Sequence, residues 1–160
     1  MQAQIDIDVR CQGWPDEASL TETIHASVTA ATETAGLQFP DGAELSLVFT
    51  GDADMQEINR QWRGIDKPTN VLSFPGDDIQ PGEAAGQMLG DIVFALETLE
   101  REARLEGKLF DHHLRHLVVH GFLHLFGYDH MTDEDARVME NLERDALARM
   151  GIEDPYAGEA

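Results

Sequence analysis

Residues 111–130, DHHLRHLVVHGFLHLFGYDH, constrain this chain more than any other stretch, because they hold six of its seven histidines. Apolar residues recur at helical spacing from Asp111 to Phe126, and Gly127 then supplies the conformational freedom that closes a helix. His112, His116, His120 and His124 are spaced by four, so one helical face carries a ladder of imidazoles, while His113 points elsewhere. Two histidines at i and i+4 hold their Cβ atoms about 6 Å apart, one ring above the other. That separation lets two ring nitrogens reach one ion at about 2.0–2.1 Å. A third ligand must come from chain that folds back over the end of the helix. Gly127 permits that reversal without a Cβ clash, and His130 is the returning residue. The reading is therefore a metal site of His120, His124 and His130. Three neutral imidazoles leave a coordination position open for water or substrate, as in a catalytic zinc site, although nickel, copper and cobalt also suit such a set. His112 and His116 sit too far upstream to share that ion with His130, and His116 is assigned to packing or to support behind the ligands.

The rest of the chain reads as a small α+β domain. QIDIDV (4–9) and ELSLVF (44–49) alternate like half-buried strands, and VLSF (71–74) and MLGDIVF (88–94) read as two more. Helices are expected over 16–35, ending at Gly36, over a short stretch marked by Met55, Ile58 and Trp62 after a Gly51–Asp52 turn and cap, and over 95–107. A last helix opens at Thr132 with three acids in its first turn and ends at Gly151. Together these predict a four-stranded, mostly parallel or mixed sheet packed with about five helices, one of them a zincin-like histidine-bearing helix. A single metallohydrolase domain is expected over 1–151, with 152–160 as a flexible tail. PGDDIQPGEAAGQ (75–87) reads as a long mobile loop. One cysteine rules out an internal disulfide, and neither a signal-peptide core nor an apolar run of membrane-spanning length is present, so a soluble, cytoplasmic protein without a membrane partner is expected.

The charge is −20, which argues against a general nucleic-acid coat. The bases are unevenly placed, however. Seven of the eleven (Arg60, Arg63, Lys67, Arg101, Arg104, Lys108 and Arg115) fall within 60–115, so a locally near-neutral or basic face on an acidic body is compatible with the sequence.

The spacing His120, His124, His130, with Gly127 between, resembles the metzincin zinc-protease motif, but with one departure. The residue after the first histidine is Gly121, where those enzymes carry a glutamate base, and glycine cannot take a proton from water. A protease reading is therefore disfavoured. The segment HGFLHLFGYDH instead resembles the signature of the YbeY family, bacterial metal-dependent endoribonucleases that mature ribosomal RNA. NRQWRGIDKPTNVLSFP (59–75) is similar to a second block of that family, and LGDIVF (89–94) to its Gly-Asp-Ile strand. The resemblance runs from about residue 44 to 150.

By that resemblance, His120, His124 and His130 bind one zinc-type ion. The substrate is then single-stranded RNA, cleaved in maturation of the 16S rRNA 3′ end and in ribosome quality control on the small subunit. The resemblance places Arg63 in the active cleft, where a guanidinium fork would stabilise charge building on the phosphoryl oxygens. Asn70, Ser73 and Tyr128 are candidate substrate contacts, with Trp62 and Phe74 as further aromatics able to stack on bases or to fill a core. Asp129 either orients a ligand imidazole or caps the Gly127 turn. The sequence identifies no general base. Water and the ribose 2′-OH remain alternative nucleophiles, and the oligomeric state is not readable. The alternative function is a non-catalytic ribosome-assembly factor whose metal is structural, which would require a fourth protein ligand closing the site.

Overall fold

The structure is a computed structural model that describes residues 2–157. Four strands and five helices follow one another as β1 (Ala3–Val9), α1 (Glu17–Ala35), β2 (Ala43–Thr50), α2 (Asp52–Arg63), β3 (Val71–Pro75), β4 (Met88–Ala95), α3 (Leu96–Glu106), α4 (Phe110–Leu125) and α5 (Asp133–Arg149). The sheet order is β1-β2-β4-β3. β1, β2 and β4 are parallel, because helical crossovers connect them, and β3 runs antiparallel to β4 at the edge. The expectation of a mixed four-stranded sheet with five helices holds.

Period-two burial decides which face of each strand looks inward. Leu45, Leu47 and Phe49 of β2 and Ile92 and Phe94 of β4 are fully buried and pack with α1, α4 and α5. On the opposite face a smaller cluster of Met55, Leu72, Val93 and Ala95 seats α2. α4 is the central helix. Leu114, Leu117, Val118, Val119, Phe122, Leu123 and Leu125 bury almost its whole circumference, and only the histidine face is left partly accessible.

α4 approaches the sheet closely at Gly121. A Cβ there would lie 2.9 Å from Ile92 Cγ2 and 3.1 Å from Ser73 Oγ. The missing glutamate of the protease motif thus has a packing reason: position 121 faces the sheet and admits no side chain. Gly121→Ala is expected to cost about 1–3 kcal/mol by overpacking, read as a lower urea midpoint at unchanged slope.

Helix ends follow the local chemistry. Asp16 caps α1 through Ser19 N (2.8 Å), Thr132 caps α5 through Asp135 N (3.1 Å), and Gly36 closes α1 at φ 62°. At α2 the cap position is Gly51, and Asp52 is the first helical residue. Its carboxylate accepts from Thr98 N (3.1 Å) and Thr98 Oγ1 (2.7 Å), tying α2 to α3.

Two segments differ from expectation. The stretch 75–87, expected to be mobile, is held at both ends, by Gly76 N to Leu89 O (3.0 Å) and Glu44 N to Gln87 O (2.7 Å), and between them. Ala85 N donates to Gln38 O (2.8 Å), and Ile79 and Gln80 press against Gly127 at the end of α4. The stretch after Gly151, expected to be loose, is docked as far as it is described. Ile152 N bonds Leu147 O (2.9 Å), Tyr156 OH donates to Glu143 Oε1 (2.9 Å), and the Arg144 guanidinium lies 5.2 Å from the Tyr156 ring centroid. Residues 158–160 of the expected tail lie outside the described residues.

Candidate metal centre and cleft

His120 and His124 stand on consecutive turns at the C-terminal end of α4, their Nε2 atoms 3.1 Å apart and their ring centroids 4.6 Å apart. The chain leaves the helix through Gly127 at φ 93° and brings the His130 ring within 5.2 Å of His124 and 5.8 Å of His120. One ring nitrogen from each of the three lies within 4.8 Å of the others. Two nitrogens bound at about 2.0–2.1 Å to one tetrahedral ion lie about 3.3 Å apart, so the His120–His124 pair already has the separation an ion needs. The electrostatics agree. Burial, with the neighbouring His120 and His130, pushes the His124 imidazole down to about 4, which keeps it neutral with a lone pair to offer.

Behind His120 lies a residue that sequence reasoning missed. Glu143 of α5 is 1% exposed, and its Oε1 accepts from His116 Nε2 (2.5 Å) and Tyr156 OH (2.9 Å) and lies 3.4 Å from His120 Nδ1. Burial alone would raise this carboxyl, but the hydrogen bonds from His116 and His120 outweigh it and hold Glu143 at about 2. The anion on the Nδ1 side of His120 leaves Nε2 facing His124, the tautomer a ligand requires. His116 in turn holds Glu143. The available signal was a glutamate on the buried stripe of α5, between Met139 and Ala146.

The three imidazoles open onto a cleft of about 360 Å³ lined also by Arg63, Thr69, Asn70, Val71, Leu72, Ser73 and Pro75. Arg63 is carried there by the last turn of α2, which Gly64 (φ 70°) then closes. Its guanidinium makes no ion pair or side-chain hydrogen bond among the described residues, although the chain has 31 acids against 11 bases. Asn70 and Ser73 reach the cleft with their side chains engaged in the scaffold. Asn70 Nδ2 donates to Glu102 Oε1 (3.1 Å) while its Oδ1 accepts from Val71 N (2.7 Å). Ser73 Oγ donates to Gly121 O (3.0 Å). Glu102 also accepts from buried His113 (2.8 Å), and these hydrogen bonds lower its carboxyl against the effect of burial.

Other candidates fall outside the cleft. Tyr128 packs on the core and lines a depression that adjoins the cleft and shares Pro75 and His124 with it. Asp129 Oδ1 accepts from Met131 N (3.2 Å), in a local turn just beyond Gly127. Phe74 points to the α2 face of the sheet, where Trp62, 71% exposed, lies edge-on to it at 5.8 Å. Among the described residues the metal-capable group comprises the three histidines alone. The nearest further side chains are engaged elsewhere, His116 with Glu143 and Asp129 with Met131 N.

Comparison with known proteins points to one family. The family model described as Endoribonuclease YbeY matches residues 9–151. A protein named Endoribonuclease YbeY from Allorhizobium ampelinum is 55% identical, covering 97% of this chain and 95% of its own length. One of the same name from Rhizobium johnstonii is 51% identical, covering 98% and 96%. A solution structure from Thermotoga maritima covers 98% of this chain and 100% of its own, with a TM-score of 0.55 at 23% identity, and shares the fold.

Proposed function

Since this chain belongs to the endoribonuclease YbeY family and is thus a nuclease, we propose that it cleaves single-stranded RNA in the histidine cleft, with a zinc-type ion on His120, His124 and His130. The observation that carries this reading is the meeting, in one open cleft, of three convergent imidazoles and an arginine that makes no ion pair among the described residues. A divalent ion held there supplies positive charge and Lewis acidity next to the scissile phosphate. Arg63 offers a planar pair of N–H donors to the phosphoryl oxygens, where negative charge grows as the bond breaks. Glu143 fixes the His120 ring, and the Asn70–Glu102–His113 chain stiffens the wall opposite the histidines. The biological substrate on this reading is the 3′ end of 16S rRNA on the small ribosomal subunit, cleaved in the cytoplasm during maturation and ribosome quality control. Tyr128 and Asp129 then act outside the reacting centre, through the Gly127 turn.

The test compares wild type, chelator-treated protein and Arg63→Ala on one labelled single-stranded RNA and its duplex. Arg63→Ala is expected to keep its metal and lose about 10²–10³-fold in cleavage, and chelation to abolish cleavage reversibly. Undiminished cleavage by Arg63→Ala, or duplex cut as fast as single strand, would refute the reading. Glu143→Gln is expected to weaken metal binding about 10–100-fold, measured by competition with a chromophoric chelator. RNA affinity should also fall as salt rises, despite the net charge of −20, because the contacts to phosphate are local.

A further inference from the structure

Among the described residues β3 is hydrogen-bonded on one side only, to β4, and its other edge borders the cleft. Antiparallel pairs alternate between residues that exchange both backbone bonds and residues that exchange neither. The bonds Ala95 N to Asn70 O (3.1 Å) and Gly76 N to Leu89 O (3.0 Å) set the phase. Leu72 and Phe74 therefore spend their backbone groups on β4, and Val71, Ser73 and Pro75 turn theirs outward. These same three residues line the cleft beside Arg63 and the histidines.

The chemistry of that edge is lopsided. The Val71 N–H is already taken by Asn70 Oδ1 (2.7 Å), and Pro75 has no N–H, so Ser73 N–H is the one donor left along β3. The carbonyls of Val71 and Ser73 remain as acceptors. A peptide strand added here would need donors and acceptors in alternation, and it meets an edge with a single donor, Ser73 N–H. A nucleic-acid backbone meets it differently. Its phosphates are acceptors only, and the one hydrogen-bond donor a ribose–phosphate chain carries is the 2′-hydroxyl.

We propose that the open edge of β3 reads ribose. The Val71 and Ser73 carbonyls accept from the 2′-hydroxyls of nucleotides flanking the phosphate held by Arg63, and Ser73 N–H donates to a phosphate oxygen. The two carbonyls lie two residues apart, about 6.8 Å along the strand, a separation that consecutive riboses of an extended single strand can follow. The edge thus selects RNA over DNA by contacts remote from the bond being broken. This inference rests on RNA being the substrate.

The experiment uses the metal-loaded wild type cleaving a labelled single-stranded RNA. The competitors are unlabelled oligomers of one sequence in unmodified, fully 2′-deoxy and fully 2′-fluoro form. The 2′-fluoro oligomer keeps a ribose-like sugar pucker but has no donor. The inhibition constants of the 2′-deoxy and 2′-fluoro oligomers are both expected to rise about tenfold or more over that of RNA, as for the loss of two or more hydrogen bonds. A 2′-fluoro oligomer competing within about twofold of RNA would overturn the assignment while cleavage itself stood. An extended peptide of alternating threonine and valine competing as well as RNA would give the edge to a protein strand and overturn it too. Failure of unmodified RNA to be bound or cut would remove the RNA reading and this inference together.

Discussion

His124→Ala is expected to abolish stoichiometric metal binding and to reduce RNA cleavage to background. The ring it removes is the shared neighbour of the trio: its Nε2 lies 3.1 Å from that of His120 and its centroid 5.2 Å from that of His130. Without it the remaining two nitrogens come from an exposed residue beyond a turn and from one helical position, and no third donor stands within reach among the described residues. The fold should survive, since His124 is only half buried, and the apolar positions around it, Leu123 and Leu125, are untouched. The metal-to-protein ratio of the purified variant, with its far-UV spectrum as a check on folding, decides the matter. A variant that keeps one equivalent of metal would overturn the ligand assignment.

Gly127→Ala is expected to be among the most damaging single methyl additions, alongside those at Gly76 and Gly90. The residue has φ 93°, outside the range an L side chain adopts readily, and a Cβ would sit 2.2 Å from Ile79 O and 3.1 Å from the Gln80 backbone. Neither neighbour is the end of a flexible side chain, so the loop 76–87 must lift or the turn must reopen. A cost of about 3 kcal/mol or more follows from backbone strain plus clash, a fall in Tm of roughly 6–12 °C for a domain of this size. Metal affinity should fall with it, because the same turn delivers His130. Gly151→Ala is the internal control. Its φ is 74°, nothing lies within 4 Å of the added carbon, and only the left-handed penalty of about 1 kcal/mol remains. Equal losses in the two variants would show that conformation alone, and not the seating of the loop, makes Gly127 necessary.

The two variants divide along the line between local and non-local information. The histidine trio was legible because its logic is local: an i, i+4 pair, a glycine and a return of six residues lie within one short segment. The strands were legible by alternation and the helix ends by their capping residues, and these elements stand where they were expected. Arg63 lines the same cleft as the histidines, but that it makes no ion pair among the described residues could not be read from the sequence. Pairing depends on which of 31 acids the fold brings near.

What only the tertiary structure decided are contacts between distant segments. Glu143 meets His120 and His116 because α5 packs against α4, across 23 and 27 residues. Asn70 and Ser73 looked like substrate contacts, yet Glu102 and the Gly121 carbonyl claim their side chains, leaving the strand's own backbone to face the cleft. The loop 76–87 read as mobile because its composition is rich in glycine, proline and aspartate, and it is pinned by Gly127 and Gln38 instead. The sequence by itself determined which residues can hold a metal, since ligand spacing on a helix is a property of the helix. Which carboxylate backs them, and which strand edge lines the cleft, was decided only when packing brought separate elements together, because burial and hydrogen-bond pairing are properties of the assembled core.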